Sequence, residues 1–162
     1  MKDHNYNVGY LNYCQICSSN DLIEVIDLGY QPLADDLIKK TEKNRECIYY
    51  PIKISLCKKC SLLQNNYIVG DNILYNNNYH YRPGISKAIV NNLKILAKET
   101  ITNYDLKNND LVVDIGSNDG TLLSQFKNLG HDNLLGIEPT GTYIFHKEKK
   151  IKVINDFFNN KI

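Results

Sequence analysis

Four of the five cysteines fall into two pairs of identical spacing, Cys14-x-x-Cys17 and Cys57-x-x-Cys60, while Cys47 stands alone. Two residues between cysteines is the spacing at which a tight turn points both sulfurs at one ion. Two such turns supply the four thiolates of a closed tetrahedral zinc site. All four corners are then protein ligands, so the metal has no open position for substrate and its role is structural. Incidental buried thiols, or iron in place of zinc, are the alternatives. Cys47, in "RECIYY", reads as a small core or surface residue and is given no role.

A second constellation lies in "LVVDIGSNDGTLL", residues 111–123, an apolar run that breaks at Asp114 and at Gly116-Ser117-Asn118-Asp119-Gly120 before turning apolar again. A strand, a glycine turn and a helix form the usual cradle for a phosphate, whose charge rests on bare helix N–H groups. The dinucleotide fingerprint needs G-x-G-x-x-G, and this loop is G-x-x-x-G with an acid before it and another inside it. Carboxylates at Asp114 and Asp119 repel a pyrophosphate but suit a ligand that carries an amine and a sulfonium. S-adenosylmethionine has both and has no phosphate. Glu138, in "LLGIEPT", stands 24 residues after Asp114 at the end of the next expected strand. A carboxylate there can accept hydrogen bonds from both ribose hydroxyls. The competing readings are a dinucleotide, or a turn without ligand in which Asp119 only caps a helix.

The elements that must position these groups follow from the pattern. "YCQICSSNDLIEVIDLG" runs from the first cysteine pair into an alternating strand, and "YPIKISLCKKCSLLQ" sets the second pair between two strands. The 39 residues between the pairs leave "YQPLADDLIKKTEKNRE" as a loop. A module of this size buries little core, so a metal staple contributes folding free energy. "GDNILYNNNYHYRPG" (70–84), rich in Asn and Tyr, reads as an irregular linker. "ISKAIVNNLKILAKETI" (85–101) places Ile85, Ile89, Leu93, Leu96 and Ala97 at helical spacing. Strand 111–115, helix 120–129, strand 134–138, a short helix near 141–149 and a strand at 151–154 then alternate as in a parallel α/β sheet. The expected organisation is a zinc-binding β module over 1–70, a linker over 71–84, and an α/β unit over 85–162.

The formal net charge of +1 predicts no strong pull on nucleic acid or anionic membrane. No stretch has the length of a membrane span and the N-terminus has no signal-peptide core, so the expected location is cytoplasmic.

Taken together, "CQIC…DLGYQPLAD…YPIKISLCKKCSLLQ…YHYRPGIS…VVDIGSNDGTLL…GIEPT" resembles the nucleotide-sugar C-methyltransferases of deoxysugar biosynthesis. The resemblance runs from Cys14 to Phe158. It implies an N-terminal zinc-binding domain joined to a class I, S-adenosylmethionine-dependent methyltransferase domain of Rossmann-like fold, and a keto-deoxysugar carried on a nucleotide as substrate. By position, Cys14, Cys17, Cys57 and Cys60 match the zinc ligands, Gly116 through Gly120 the cofactor loop, Glu138 the ribose acid, and Pro139 its usual neighbour. Tyr79 and Tyr81 fall in the family's aromatic stretch near substrate or cofactor, with packing an equal alternative, and His80 between them faces solvent. Asp35 and Asp36, after "QPLA", read as structural.

Chains of that family are more than twice as long, and a class I sheet has seven strands where this sequence supplies about three. The expectation is therefore an N-terminal portion of the sheet, with strand 111–115 left at an edge for a second polypeptide or a like copy to fill. Their chemistry needs a base to remove a proton alpha to a ketone. His131 follows the helix-ending Gly130 and His146 sits in the basic run "HKEKKIK", expected as a solvated face, so no catalytic residue is named. The alternative function is a non-catalytic zinc-containing interaction module.

Overall fold

The computed structural model describes residues 8–34, 36–76 and 78–162, so Asp35 lies outside the described residues. The chain divides into two compact units, Met1–Leu74 and Tyr75–Ile162.

The first unit is built from strands. β1 (Gly9–Tyr10) pairs antiparallel with β5 (Tyr67–Ile68), and β2 (Leu22–Pro32), β3 (Tyr49–Cys57) and β4 (Leu63–Asn65) form an antiparallel sheet in that order. β2 is rich in β-branched residues but does not run straight: its pairing with β3 slips between Glu24 and Ile26 and again between Asp27 and Tyr30. At the second slip Asp27 Oδ1 accepts the Gly29 N–H at 2.8 Å, and Gly29 takes φ +68°, which a residue without Cβ adopts at little cost. The apolar interior is small. Leu11, Cys14 and Cys57 are buried, whereas Val25, Leu28, Tyr30 and Leu63 are more than half exposed. A sheet with so little to bury gains its stability elsewhere, and Cys14 and Cys57 are part of its buried interior, with Cys17 half-buried and Cys60 exposed. The short helix α1 (Asp71–Leu74) ends the unit.

The second unit has a three-stranded parallel sheet, β6 (Val112–Ile115), β7 (Leu134–Ile137) and β8 (Lys152–Ile154), in that spatial order. Helix α2 (Lys87–Asn103) packs on α3 (Thr121–Asn128), and a 3-10 turn (Gly141–Ile144) leads into the short α4 (Phe145–Lys149) before β8. The core is Ala97, Leu123, Phe126, Leu134 and Ile151, flanked by Ile101, Leu106, Val112, Leu122 and Leu129. The α2 helix begins later than its apolar spacing suggests, because Pro83–Ile85 forms a 3-10 turn and the Ser86 hydroxyl accepts the Ile89 N–H as N-cap. Its packed face follows Ile89, Leu93, Ala97 and Ile101 at four-residue steps, so Ile85 and Leu96, expected in the stripe, are exposed. Residues 71–84 are not a free connector. Asp71–Leu74 are helical, and Tyr81 and Gly84 hydrogen-bond to the loop after β6. Among the described residues no helix is long and apolar enough to cross a membrane.

Candidate metal centre and glycine-loop site

The four cysteine sulfurs lie within 4.8 Å of one another. Cys14 Sγ is 3.5 Å from Cys60 Sγ, and Cys17 Sγ is 3.6 Å from Cys57 Sγ. Four sulfurs about 2.3 Å from a tetrahedral zinc stand about 3.8 Å apart, so the donor set fits that ion. Two matched turns create the cluster. Ser18 N–H donates to the Cys14 carbonyl at 2.9 Å and Ser61 N–H to the Cys57 carbonyl at 2.8 Å. Ser18 and Ser61, each following the second cysteine of its pair, both take left-handed backbone, φ 56° and 60°. The same hydrogen-bonded turn is thus used twice, once before β2 and once between β3 and β4.

Gln64 is a support that spacing did not reveal. Buried on β4, it accepts the Gln15 N–H at Oε1 and donates from Nε2 to the Tyr13 carbonyl, each at 2.9 Å. The strand after the second turn therefore grips the first. The Cys17 and Ile16 N–H groups aim at the Cys14 sulfur and lower its pKa to about 6, against the opposing effect of burial. Cys60 goes the other way. The Leu62 N–H lowers its pKa, but its proton shared with Cys14, together with burial and the other two sulfurs, pushes it up to about 12. Four thiolates this close need a cation among them to be ionised together. Cys47 is partly buried and outside the cluster.

In the second unit, the loop from Gly116 to Gly120 leaves β6 with three residues in left-handed backbone: Gly116 at φ 75°, Asn118 at 49° and Gly120 at 72°. Asn can adopt this conformation, which accounts for its presence between two glycines. The loop is tied to the end of β7. Gly116 and Ser117 N–H groups both donate to the Ile137 carbonyl, and the Asn118 N–H donates to Glu138 Oε2 at 2.7 Å. Glu138 is 4% exposed, and its Oε1 accepts the Thr140 N–H at 2.8 Å. Each carboxylate oxygen keeps a second lone pair. Pro139 follows, partly buried, its carbonyl and that of Glu138 held by Asn155 Nδ2.

Asp114 sits half-buried at the C-terminal part of β6, in register with Gly136 of β7. Burial, and then the neighbouring Glu138 charge, push its carboxyl up to about 6. Beside it Gly116 is open, with no atom within 4 Å of where a Cβ would stand.

Two expected cofactor contacts turn inward. Asp119 is fully buried, and its carboxylate accepts from Thr121 N–H and Oγ1 on one oxygen and from the Gly84 N–H on the other. Arg82 Nε at 3.7 Å and Lys149 Nζ at 3.9 Å complete its surroundings, and Lys149 also donates to its carbonyl. Its charge holds the loop and the start of α3, so of the two acids expected to face a ligand, Asp114 and Asp119, only Asp114 lies beside the open Gly116. Ser117 is likewise 4% exposed, with its hydroxyl beneath the loop.

The Tyr-rich stretch contributes backbone and a cation. Asn118 Nδ2 donates to the Tyr81 carbonyl at 2.9 Å, while the Tyr81 ring is 45% exposed. Tyr79 is partly buried with its ring 5.9 Å from that of Tyr75, and His80 is exposed. Arg82 lies over the Phe145 ring, 3.4 Å from its centroid. His146 corrects the reading of a solvated basic face. It is fully buried, its ring packed under Gly120 and Gly136. The basic neighbours Lys147 and Lys150 are exposed and hid it; the spacing of four from Thr142, also buried, was the available signal. His131 is buried too, edge-on to Phe126, so it caps the core and not a solvent-facing helix end.

Residues 14–75 match a family model, Methyltransf_13, whose description is "Putative zinc binding domain". The chain is also 25% identical over 129 residues to the C-methyltransferase NovU of Streptomyces niveus, an alignment covering 80% of this chain and 30% of that protein. The chain thus spans about 30% of the length of the curated relative it matches. The matched domain begins at Cys14 and contains all four clustered cysteines, which supports zinc as the ion they hold. Residues 14–75 are thus similar to a zinc-binding domain model named for methyltransferases, and the chain is similar to part of a C-methyltransferase.

Proposed function

We propose that the chain supplies the structural zinc module and the adenosyl-binding loop of an S-adenosylmethionine-dependent C-methyltransferase whose substrate is a keto-deoxysugar linked to a nucleotide. The observation that carries the cofactor assignment is Asp114. Its carboxyl is half-buried, is raised to about 6 by burial and by Glu138, and has no hydrogen bond contributing to its state. Two acids converging on an open glycine form a place where a cation lowers the energy of both and a pyrophosphate raises it. In this reading the ribose hydroxyls meet the free lone pairs of Glu138, the adenosyl group lies along Gly116 and Asn118 towards Pro139, and the sulfonium or amine neutralises Asp114. The cofactor supplies an electrophilic methyl group. Tyr79 and Tyr81, on the segment tied to the loop, border the substrate side. The sheet is then the first part of a class I methyltransferase sheet, and the paired free thiols suit a cytoplasmic setting.

Calorimetry tests the assignment, titrating S-adenosylmethionine and NAD separately into the chain joined to, or mixed with, a polypeptide that completes the sheet. Binding of the sulfonium ligand that strengthens from pH 5 to pH 7, as Asp114 ionises, is the expected result. A preference for NAD, or affinity independent of Asp114→Asn, rejects it.

A further inference from the structure

We propose that Ser117 and His146 form a buried brace across Gly136 that fixes the glycine loop, making His146 a positioning residue of the loop; its role in cofactor binding rests on the adenosyl reading above. His146 Nδ1 lies 3.2 Å from the Tyr143 carbonyl. A carbonyl can only accept, so the proton belongs on Nδ1 and Nε2 is left as a lone-pair acceptor. That Nε2 is buried and has no hydrogen-bond partner, and the same is true of Ser117 Oγ. The residues are 0% and 4% exposed, so neither atom can turn to solvent.

Both atoms crowd the same bare Cα. A Cβ on Gly136 would stand 2.6 Å from Ser117 Oγ and 2.7 Å from His146 Nε2. One group has a proton on a freely rotating bond and the other has a lone pair. A buried acceptor left unmade costs more than the hydrogen bond itself yields, so a small turn of the serine that closes Oγ–H onto Nε2 is strongly favoured. Glycine at 136 is what keeps that space clear. The same ring reaches the far end of the loop, where a Cβ on Gly120 would meet it at 3.0 Å. A single imidazole therefore supports the loop at both ends, beneath the left-handed Asn118 whose N–H holds Glu138.

The brace requires a neutral ring. Burial lowers the His146 pKa, the Tyr143 carbonyl opposes this, and Lys149 adds to the lowering, while Glu138 and Asp119 act against it. Protonation would put a second N–H where the serine proton has to go. The contribution is therefore complete above the ordinary histidine pKa of about 6.5 and is lost as pH falls below it.

Imidazole nitrogen NMR on the intact chain, without ligand, reads the brace. The expected result is an Nδ1–H tautomer with Nε2 accepting, persisting below pH 6.5. Ser117→Ala should move the Nε2 resonance, leave His131 unchanged, and speed amide exchange at Asn118 and Gly120 about three- to tenfold, the loss of one buried hydrogen bond. An Nε2–H tautomer, or a ring already protonated at pH 7, overturns the proposal in the wild-type chain whether or not the variant folds. An Nε2 resonance and loop exchange unmoved in Ser117→Ala also overturn it. An intact brace in a completed protein that ignores S-adenosylmethionine rejects the cofactor reading instead and leaves the brace standing.

Discussion

The carboxyl groups of Asp114 and Glu138 oppose one another from the ends of neighbouring parallel strands, and only Glu138 has backbone N–H groups to stabilise its charge. Burial first, and the Glu138 charge second, hold Asp114 at a pKa of about 6 instead of its ordinary 3.8. Between these values the folded chain binds the proton more tightly than the unfolded chain. Stability from this group is thus gained as pH falls through the window and lost as pH rises through about 6. Asp114→Asn should raise the thermal midpoint at pH 7 and change it little at pH 4, followed by circular dichroism. Equal shifts at both pH values would refute the placement of that carboxyl. A group that costs stability in the free protein is the kind retained for a ligand.

Glu138 holds the Asn118 and Thr140 N–H groups, and in the proposed reading its remaining lone pairs receive the ribose hydroxyls. Glu138→Gln keeps the size but replaces one charged acceptor by an amide donor facing a donor. Binding of S-adenosylmethionine to the completed protein should weaken roughly tenfold or more, a charged hydrogen bond being worth about 1.5–3 kcal/mol. Far-ultraviolet dichroism separates loss of the ligand contact from loss of the fold. Undiminished affinity would show that the ribose lies elsewhere.

The metal centre predicts one zinc per chain, by atomic absorption on protein purified without added metal, and a first unit that loses its sheet when the metal is removed. The reason is the small apolar interior around Leu11, in which Cys14 and Cys57 are themselves central. Cys57→Ser should abolish stoichiometric zinc and unfold β2–β4 while the second unit keeps its dichroism. Gln64→Ala should leave one zinc bound but weaken it, because only the support of the first turn is lost. Full zinc content in Cys57→Ser would sink the four-sulfur assignment.

What the sequence showed was what short spacing encodes. The two C-x-x-C pairs and the strand–loop–helix around Gly116 are local patterns, and local backbone geometry turns them directly into structure. What it hid depends on which way a side chain points. Asp119 and Asp114 look alike in "VVDIGSNDG", yet one lies under the loop among Gly84, Thr121, Arg82 and Lys149, and the other lies beside an open glycine. Only Thr121 is local; Gly84 lies 35 residues upstream and Lys149 30 downstream, beyond any periodicity. His146 was hidden for the same reason, since its charged neighbours describe the other side of a one-turn helix. Nothing in the residues around Arg82 announced that it would cross onto Phe145.

The last prediction concerns the outer strand of the parallel sheet. β6 has β7 on one side and, among the described residues, no strand on the other. Leu111, Val113 and Ile115 alternate along it on the side away from the Leu134 and Leu123 core and are 56%, 44% and 55% exposed. An apolar strand with unpaired N–H and C=O groups is a template for further strands. We propose that it takes a second polypeptide, or a further segment completing the methyltransferase sheet, and that without one it takes a like copy. The chain by itself should then associate in light scattering and should not transfer methyl groups. Val113→Lys places a charge on that face without touching the zinc cluster or the glycine loop. It should shift the chain to monomer while leaving zinc content and His146 resonances unchanged. A wild-type chain that is monomeric at high micromolar concentration and turns over a nucleotide-sugar alone would show that this edge needs no partner.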